Sequence, residues 1–132
     1  MSAKDSPSQL HKRLVMGLID YMNKNDWQVV HAAGVSGYLE PFAIGGYTPD
    51  VIAKRSDGLI AVGEAETCER LGEEKTLRQF SAFSDLSTTQ GKLGVPFFVV
   101  VPESCIDKLD EILNSKYASK MDRIMRVKMA GV

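Results

Sequence analysis

The sequence predicts one α/β domain in which a mixed β-sheet is flanked by helices, with the elements in the order α-β-β-β-α-β-α-β. Three observations support this class. The chain has 132 residues, 44% of them hydrophobic, which suits a single domain that buries its own core. Apolar residues recur at helical spacing in three segments, and β-rich runs lie between them. One run, VPFFVVV at residues 95–101, has the continuous hydrophobicity of a strand buried on both faces of a sheet.

The first helix is predicted to open at Ser6 and Pro7, because serine is a good N-cap and proline fits the first helical position. It should end near Asn25. Residues 1–7 otherwise constitute a loose N-terminus, and residues 8–132 form the single domain. The inward face of the helix is predicted to consist of Leu10, Leu14, Leu18, Ile19 and Met22.

A first strand and a long connection follow this helix. The segment WQVVHAA, residues 27–33, is short and rich in β-formers, whereas residues 34–47 are punctuated by glycine and can contain a short edge piece. His31 on the strand is expected to be a partly buried histidine with satisfied hydrogen bonds rather than a ligand. Tyr38 and Tyr47 in the connection either stack on a nucleic-acid base or cap the core.

Two strands joined by a turn come next, and the length of the turn decides which side chains meet. The sequence SDG at residues 56–58 can form a three-residue loop with its glycine in the left-handed position. Arg55 would then pair with Leu59, and Asp50 would lie opposite Glu64 on the same face. If the last two turn residues alone form the loop, the register moves by one and Asp50 points away from Glu64. We favour the three-residue loop.

The remaining elements complete the sheet and its helices. Residues 73–86 should form a helix, and residues 95–101 the central strand. A further helix is expected within residues 102–115, and a half-exposed last strand within residues 123–130. The inward positions of the two helices are Leu77, Phe80, Phe83, Leu86, Ile106, Leu109, Ile112 and Leu113. The last strand alternates the apolar Met125, Val127 and Met129 with Arg126 and Lys128.

The overall charge does not indicate a nucleic-acid-binding protein. The formal net charge is −1 and the isoelectric point is near 6.1, so any binding to nucleic acid would need a local basic patch. The C-terminal segment is locally basic and either lines a substrate groove or forms an ordinary solvated face. Its basic residues are Lys116, Lys120, Arg123, Arg126 and Lys128.

The cysteines and the apolar runs point to a cytoplasmic protein. Cys68 and Cys105 are too few and too far apart in sequence for a zinc motif or a disulfide framework, so we expect a reduced pair. No apolar run approaches the length of a membrane span, and the N-terminus lacks the apolar core of a signal peptide. No contact with a membrane is expected.

Three carboxylates would gather at the open end of the hairpin. In the favoured register Asp50, Glu64 and Glu66 share one face and repel one another unless protons or a cation compensate. Mg²⁺ prefers oxygen ligands and often binds one or two carboxylates together with substrate phosphate. The cluster is therefore either a hard-metal site for Mg²⁺ or Mn²⁺, or merely the solvated end of an edge hairpin.

This arrangement resembles the PD-(D/E)xK nuclease superfamily, which includes archaeal Holliday junction resolvases and many restriction endonucleases. The family pattern is Pro-Asp at the start of one strand, a turn, and then an acid, any residue and lysine on the next strand. Here PDVIA supplies Pro49 and Asp50, and VGEAET supplies Glu64 with Glu66 in the lysine's place. The resemblance covers roughly residues 9–101, including the first helix and the run GVPFFVVV.

The resemblance implies a restriction-endonuclease-like fold and a metal-dependent DNA endonuclease that works as a homodimer, with junction resolution as one form of the activity. Asp50 and Glu64 would bind Mg²⁺ or Mn²⁺, and the main-chain carbonyl of Ala65 would be a further ligand. Glu66 would either take the lysine's catalytic role or bind a second metal ion. Gln79 in LRQFSAF resembles the helix glutamine that often follows the motif and would assist.

Two departures from the family pattern leave an alternative open. The lysine is replaced by Glu66, and neither Lys54 nor Lys75 is a convincing substitute for it. The first helix also lacks the glutamate found in many resolvases, and its Gln9 and His11 are expected to be only an exposed helix start. The alternative is therefore a catalytically inactive module of the same fold that binds nucleic acid or protein.

Overall fold

The computed structural model describes residues 6–86 and 94–132. Within this part of the chain the helices and strands follow the predicted order. The α-helices are α1 (Pro7–Lys24), α2 (Glu74–Ser84) and α3 (Ile106–Lys116). The strands are β1 (Gln28–Ala32), β2 (Val51–Lys54), β3 (Ile60–Ala65), β4 (Phe97–Pro102) and β5 (Ile124–Met129). No helix of the described residues is long and apolar enough to cross a membrane.

The five strands form one open mixed sheet in the order β1-β2-β3-β4-β5, which confirms the predicted fold class. The first three strands form an antiparallel meander, and β3, β4 and β5 are parallel. Helix α1 packs on one face, whereas α2 and α3 pack on the other. All six residues of β4 are buried, as its apolar run predicts, although β3 rather than β4 occupies the middle of the sheet.

The β2–β3 hairpin has the three-residue loop and the register that places Asp50 beside Glu64. Val51 pairs with Gly63, and Arg55 donates its N–H to the Leu59 carbonyl at 2.9 Å. Gly58 closes the turn with φ of 88°, a left-handed conformation that glycine adopts without steric cost. The two-residue alternative, in which the acids would face opposite sides of the sheet, is excluded.

The start of α1 is a capping box. The Ser6 side chain accepts the Gln9 N–H at 3.2 Å, and the Gln9 side chain accepts the Ser6 N–H at 2.8 Å. Ser6 and Pro7 therefore belong to the helix and not to a loose terminus, whereas residues 1–5 lie outside the described part. The helix ends at Lys24 with Asn25 as its C-cap, as predicted.

The predicted alternation of β5 is partly wrong. Ile124 and Val127 are buried on opposite faces of the sheet, whereas Met125 is 39% exposed. Val127 and Met129 pack into the cluster beneath α1. Met125 belongs to neither buried cluster, because at this edge strand the helices cover only part of each face.

Cys68 and Cys105 form a disulfide, so the prediction of a reduced pair is wrong. The 37-residue separation suggested that the two residues are distant from each other. However, Cys68 lies just past the end of β3 and Cys105 just past the end of β4, and these strands are parallel neighbours. Residues that follow adjacent parallel strands meet at the same edge of the sheet, and here the Cα atoms are 5.7 Å apart.

Gly63 allows α1 to pack directly on β3, and we expect it to tolerate no side chain. A Cβ at this position would lie 2.7 Å from Cδ2 of Leu18, which is fully buried and has little room to move. Gly63→Ala should lower the free energy of unfolding by about 1–3 kcal/mol in urea denaturation. In a double-mutant cycle Leu18→Ala should recover part of this loss, and strictly additive effects would contradict the contact.

Candidate metal centre

The candidate site lies at the carboxyl end of β3, beside the start of β2. Pro49 has no N–H group and cannot extend the ladder, so regular pairing of the hairpin ends at Val51 and Gly63. The Asp50 N–H donates to the Gly63 carbonyl at 3.0 Å and to Oε1 of Glu64 at 3.1 Å. These two bonds anchor Asp50 against the last residues of β3.

The Asp50 carboxylate contacts both strand β3 and helix α1. Its Oδ2 atom accepts the Ala65 N–H at 2.9 Å and lies 3.1 Å from Nε2 of His11. The Asp50 side chain is 15% exposed and that of His11 is 34% exposed, so both groups border solvent. Helix α1 therefore contributes directly to the site through His11.

Glu64 and Glu66 occupy the end of β3 and the position just beyond it. Side chains alternate along a strand, so both lie on the face opposite Gly63 and Ala65. Glu64 is 3% exposed and Glu66 is 4% exposed. The Glu66 N–H donates to the Val100 carbonyl at 3.0 Å, which continues the pairing with β4. The two carboxyl groups are close enough to influence each other's ionisation, and a hydrogen bond between them would require one of them to be protonated.

Burial and mutual repulsion favour the protonated forms of both glutamates. Burial raises the pKa of Glu64 well above its usual value, and the charges of Asp50 and Glu66 raise it further. Burial likewise raises the pKa of Glu66, to about 7, and the Asp50 charge adds to this rise. The hydrogen bond to Glu64 and the positive charges of His11 and Arg70 counteract it. The site therefore retains protons at a pH at which exposed glutamates are ionised.

His11 is the site residue that the sequence did not assign. We expected an exposed helix start, and this is correct for Gln9 but wrong for His11. The hydrogen bond to Asp50 raises the pKa of His11, while burial and the charge of Arg70 lower it. One signal was available in the sequence: His11 continues, at helical spacing, the buried stripe of α1 that contains Leu14 and Val15. A polar residue at the end of such a stripe points toward the sheet.

The residue types suit a hard cation such as Mg²⁺, although the side chains are not arranged around a common metal position. Among the described residues, no group of three or more His, Cys, Asp and Glu side chains is arranged to hold a metal ion. The carboxyl oxygens of Asp50 and Glu64 instead accept backbone N–H groups. Asp50, Glu64 and Glu66 nevertheless provide the oxygen donors that Mg²⁺ and Mn²⁺ prefer, and their repulsion would be relieved by a cation. The donor set therefore fits such an ion chemically.

The remaining candidates make no hydrogen bond or ion pair with the carboxylates in the described part of the chain. Gln79 is half-buried on α2 and makes no side-chain hydrogen bond with the three acids in the described part of the chain. Lys54 ends β2 beside the turn, where it borders an open pocket together with Trp27. Lys75 is exposed on α2. Neither lysine replaces the family lysine in this arrangement.

The basic C-terminal segment is largely engaged within the domain. Arg123 donates from a guanidinium nitrogen to the Ser84 carbonyl at 3.2 Å. Three other basic side chains pair with acids of the same domain: Lys120 with Asp85, Arg126 with Asp110 and Lys128 with Glu103. These pairings favour an ordinary charged face over a groove reserved for nucleic acid.

The aromatic residues of the long connection mainly support the fold. Tyr47 contacts Phe83 of α2 with ring centroids 6.5 Å apart, and Tyr38 packs against the cluster beneath α1. His31 is half-buried, and its Nδ1 lies 3.0 Å from the Glu40 carbonyl, as expected of a satisfied histidine. The candidate site residues that the fold brings together are thus the three acids, Ala65 and His11. No family model, no curated protein and no solved structure matches this chain.

Proposed function

We propose that this protein is a metal-dependent DNA endonuclease that hydrolyses phosphodiester bonds with Mg²⁺ or Mn²⁺. The observation that carries this proposal is the convergence of Asp50, Glu64 and Glu66 at one end of the sheet. The resemblance to the PD-(D/E)xK pattern supports it, because those same positions carry the motif. The location also supports it, since ligands of open α/β sheets commonly bind beyond the carboxyl ends of parallel strands.

The charge balance explains why such a site would take up a cation. Three acids lie together, two of them almost fully buried, and the positive groups nearby are the partly exposed His11 and the exposed Arg70. The raised pKa values of Glu64 and Glu66 reflect this repulsion, which protons would relieve. A divalent ion would replace these protons, and when bound it would polarise a phosphate and lower the pKa of a bound water.

The roles of the protein groups follow from their contacts. Asp50 and Glu64 would hold the ion, with the Ala65 carbonyl as a further oxygen donor. The Ala65 N–H and His11 would orient Asp50, because both contact its Oδ2 atom. Glu66 would accept a proton from the attacking water, since a carboxylate with a pKa of about 7 is well matched to general-base catalysis near neutral pH. Gln79 would assist through the substrate, since its side chain makes no hydrogen bond with the acids among the described residues.

The partner and the assembly are part of the same proposal. DNA is the proposed substrate, and a homodimer would allow two strands to be cut in a paired geometry. Sedimentation at micromolar concentration with and without branched DNA would test the assembly. A monomer under both conditions would rule out coordinated cleavage by two subunits.

A catalytically inactive module of the same fold is the second candidate. Two features favour it: no lysine of the described residues forms a hydrogen bond or ion pair with the acids, and the raised pKa values of Glu64 and Glu66 allow protons to relieve their repulsion without a metal. Such a protein would bind nucleic acid or another protein without cleaving it.

Asp50→Asn should abolish metal binding. The substitution retains the size of the side chain but removes the charge and one oxygen donor, so we expect Mn²⁺ affinity to fall by about 100-fold or more. Calorimetric titration of Mn²⁺ into wild type and variant measures this change directly. Cleavage of linear and branched DNA by the same samples should fall at least in proportion.

Glu69→Gln provides the matched control. Glu69 is an exposed acid three residues beyond Glu66, so its removal changes the net charge by the same amount without touching the cluster. This variant should bind Mn²⁺ and cleave DNA as wild type does. Absence of Mn²⁺ binding to the wild-type protein, even with DNA present, would contradict the nuclease. Mn²⁺ binding without cleavage of any substrate would favour the inactive module.

A further inference from the structure

We propose that the Cys68–Cys105 disulfide is a redox-sensitive clasp, meaning a bond that orders the loop after the carboxyl end of β3. A dithiol reductant opens this bond and makes the loop more mobile. The inference concerns the order of the loop that follows Glu66. Only its consequence for metal affinity rests on the proposed function.

The loop that the disulfide restrains begins at the site itself. Cys68 is two residues beyond Glu66, and the chain reaches α2 only at Glu74. Within the loop the backbone bonds are short-range: the Thr67 carbonyl accepts the N–H groups of Arg70 at 3.1 Å and Leu71 at 3.3 Å. These bonds shape the turn but do not attach it to the sheet.

Few contacts attach this loop to the rest of the domain. The disulfide joins it to Cys105, and Nζ of Lys108 donates to the Cys68 carbonyl at 3.3 Å. The Leu71 side chain is 3% exposed and packs with α2 and α3. The disulfide is the covalent member of this set and the one nearest to Glu66. Its loss would leave the segment between Glu66 and Leu71 with the Lys108 hydrogen bond, a weak contact of the Cys68 sulfur with the Ser104 hydroxyl, and the buried Thr67.

The position of each sulfur favours exchange. Cys68 is half-buried and Cys105 is 5% exposed, so Cys68 is the more accessible of the two residues. Cys105 is the N-cap of α3, where the helix dipole stabilises a thiolate. Lys108 adds a positive charge in the first turn of α3, although Asp107 opposes it. A better-stabilised thiolate is a better leaving group in thiol–disulfide exchange.

The reaction balances as a two-electron exchange. A dithiol attacks the sulfur of Cys68, the S–S bond breaks, and Cys105 leaves as a thiolate that takes up a proton. The second thiol of the reagent then attacks the mixed disulfide and releases Cys68. The products are two cysteine thiols and the cyclic disulfide of the reagent.

Opening the clasp would act on the site through the backbone that follows β3. The Ala65 carbonyl and Glu66 lie within three residues of Cys68, so a mobile loop would loosen their positions. Groups that position metal ligands typically change metal affinity by about 10–100-fold.

Backbone ¹⁵N relaxation of the whole protein, oxidised and after treatment with dithiothreitol, tests the inference. We expect order parameters over residues 67–72 to fall from about 0.85 toward 0.6 on reduction. The order parameters of the hairpin turn at residues 56–58, at the opposite end of β3, should not change. A Cys68→Ser/Cys105→Ser variant should show the reduced pattern with or without the reagent.

Two results would overturn the inference. One is an unchanged order parameter over residues 67–72 after complete reduction. The other is a loss of order throughout the protein, because the disulfide would then support the whole fold and not this end of it. Mn²⁺ titration of both forms is a separate readout, with affinity about tenfold weaker after reduction. If neither form binds Mn²⁺, the proposed function fails, and the relaxation data still decide whether the clasp orders the loop.

Discussion

Reduction of the Cys68–Cys105 disulfide should lower the free energy of unfolding by about 4 kcal/mol and the melting temperature by roughly 10–15 °C. The reason lies mainly in the unfolded chain. The bond joins residues 37 positions apart, and closing a loop of that size removes much of the conformational entropy of the unfolded state. The protein should remain folded at 25 °C if its stability lies in the usual range of about 5–15 kcal/mol.

Urea denaturation with and without reductant measures this difference. The slope of the unfolding free energy against urea concentration should rise on reduction, because a chain without the disulfide exposes more surface when it unfolds. A Cys68→Ala/Cys105→Ala variant should match the reduced wild type and should not respond to reductant. Quantitative thiol titration gives an independent check, since two free thiols in the native, untreated protein would contradict the bond itself.

Raising the pH from about 5 to 8 should destabilise the metal-free protein by roughly 2–3 kcal/mol. Burial and the charge of Asp50 raise the pKa of Glu66 to about 7 from the ordinary value of 4.5. Between these values the folded state holds a proton that the unfolded state has released. The folded state is therefore favoured at low pH, and this advantage is lost as the pH rises through 7.

The raised pKa values of Glu64 and His11 likewise make the folded protein less stable as the pH rises. Glu64 has a pKa raised well above its usual value, mainly by burial, so its contribution continues to fall above neutral pH. The hydrogen bond to Asp50 raises the pKa of His11, and the stability from protonated His11 is lost as the pH exceeds that value. The Arg55 hydrogen bond lowers the pKa of Asp57 to about 2, which has the opposite sign but acts below about pH 4.

Denaturation curves in EDTA across this pH range test the expectation, with Glu66→Gln as the diagnostic variant. Glutamine cannot ionise, so the dependence on pH should become markedly shallower, and the variant should be more stable than wild type at pH 8. Glu69→Gln is again the matched control and should retain the wild-type slope. Equal slopes for wild type and Glu66→Gln would contradict the assignment. Mn²⁺ should restore stability at pH 8 if the acids bind it.

The hairpin shows how far local patterns predict the site. The turn at residues 56–58 is short and has a glycine where a left-handed residue is needed, so its type determines the register. That register alone places Asp50 beside Glu64, and alternation places Glu66 on the same face. The three acids could therefore be grouped from the sequence, because every interaction involved lies within about fifteen residues.

Two other features depended on contacts between distant segments. His11 meets Asp50 because α1 crosses the face of the sheet with Gly63 directly beneath Leu18. Cys68 meets Cys105 because two parallel strands are neighbours. In both cases the partners are more than 35 positions apart, and no local period or turn relates them. The expectations about His11 and the two cysteines failed for this reason.

By itself the sequence determined the element order, the inward face of α1, the turn of the hairpin and the grouping of Asp50, Glu64 and Glu66. These features depend on helix capping, side-chain periodicity and turn geometry, which act over a few residues. Only the tertiary structure decided that the acids are almost completely buried, that a helix histidine orients one of them and that a disulfide lies beside the site. Burial and long-range pairing follow from how the helices and strands pack together, and a linear pattern does not specify that packing.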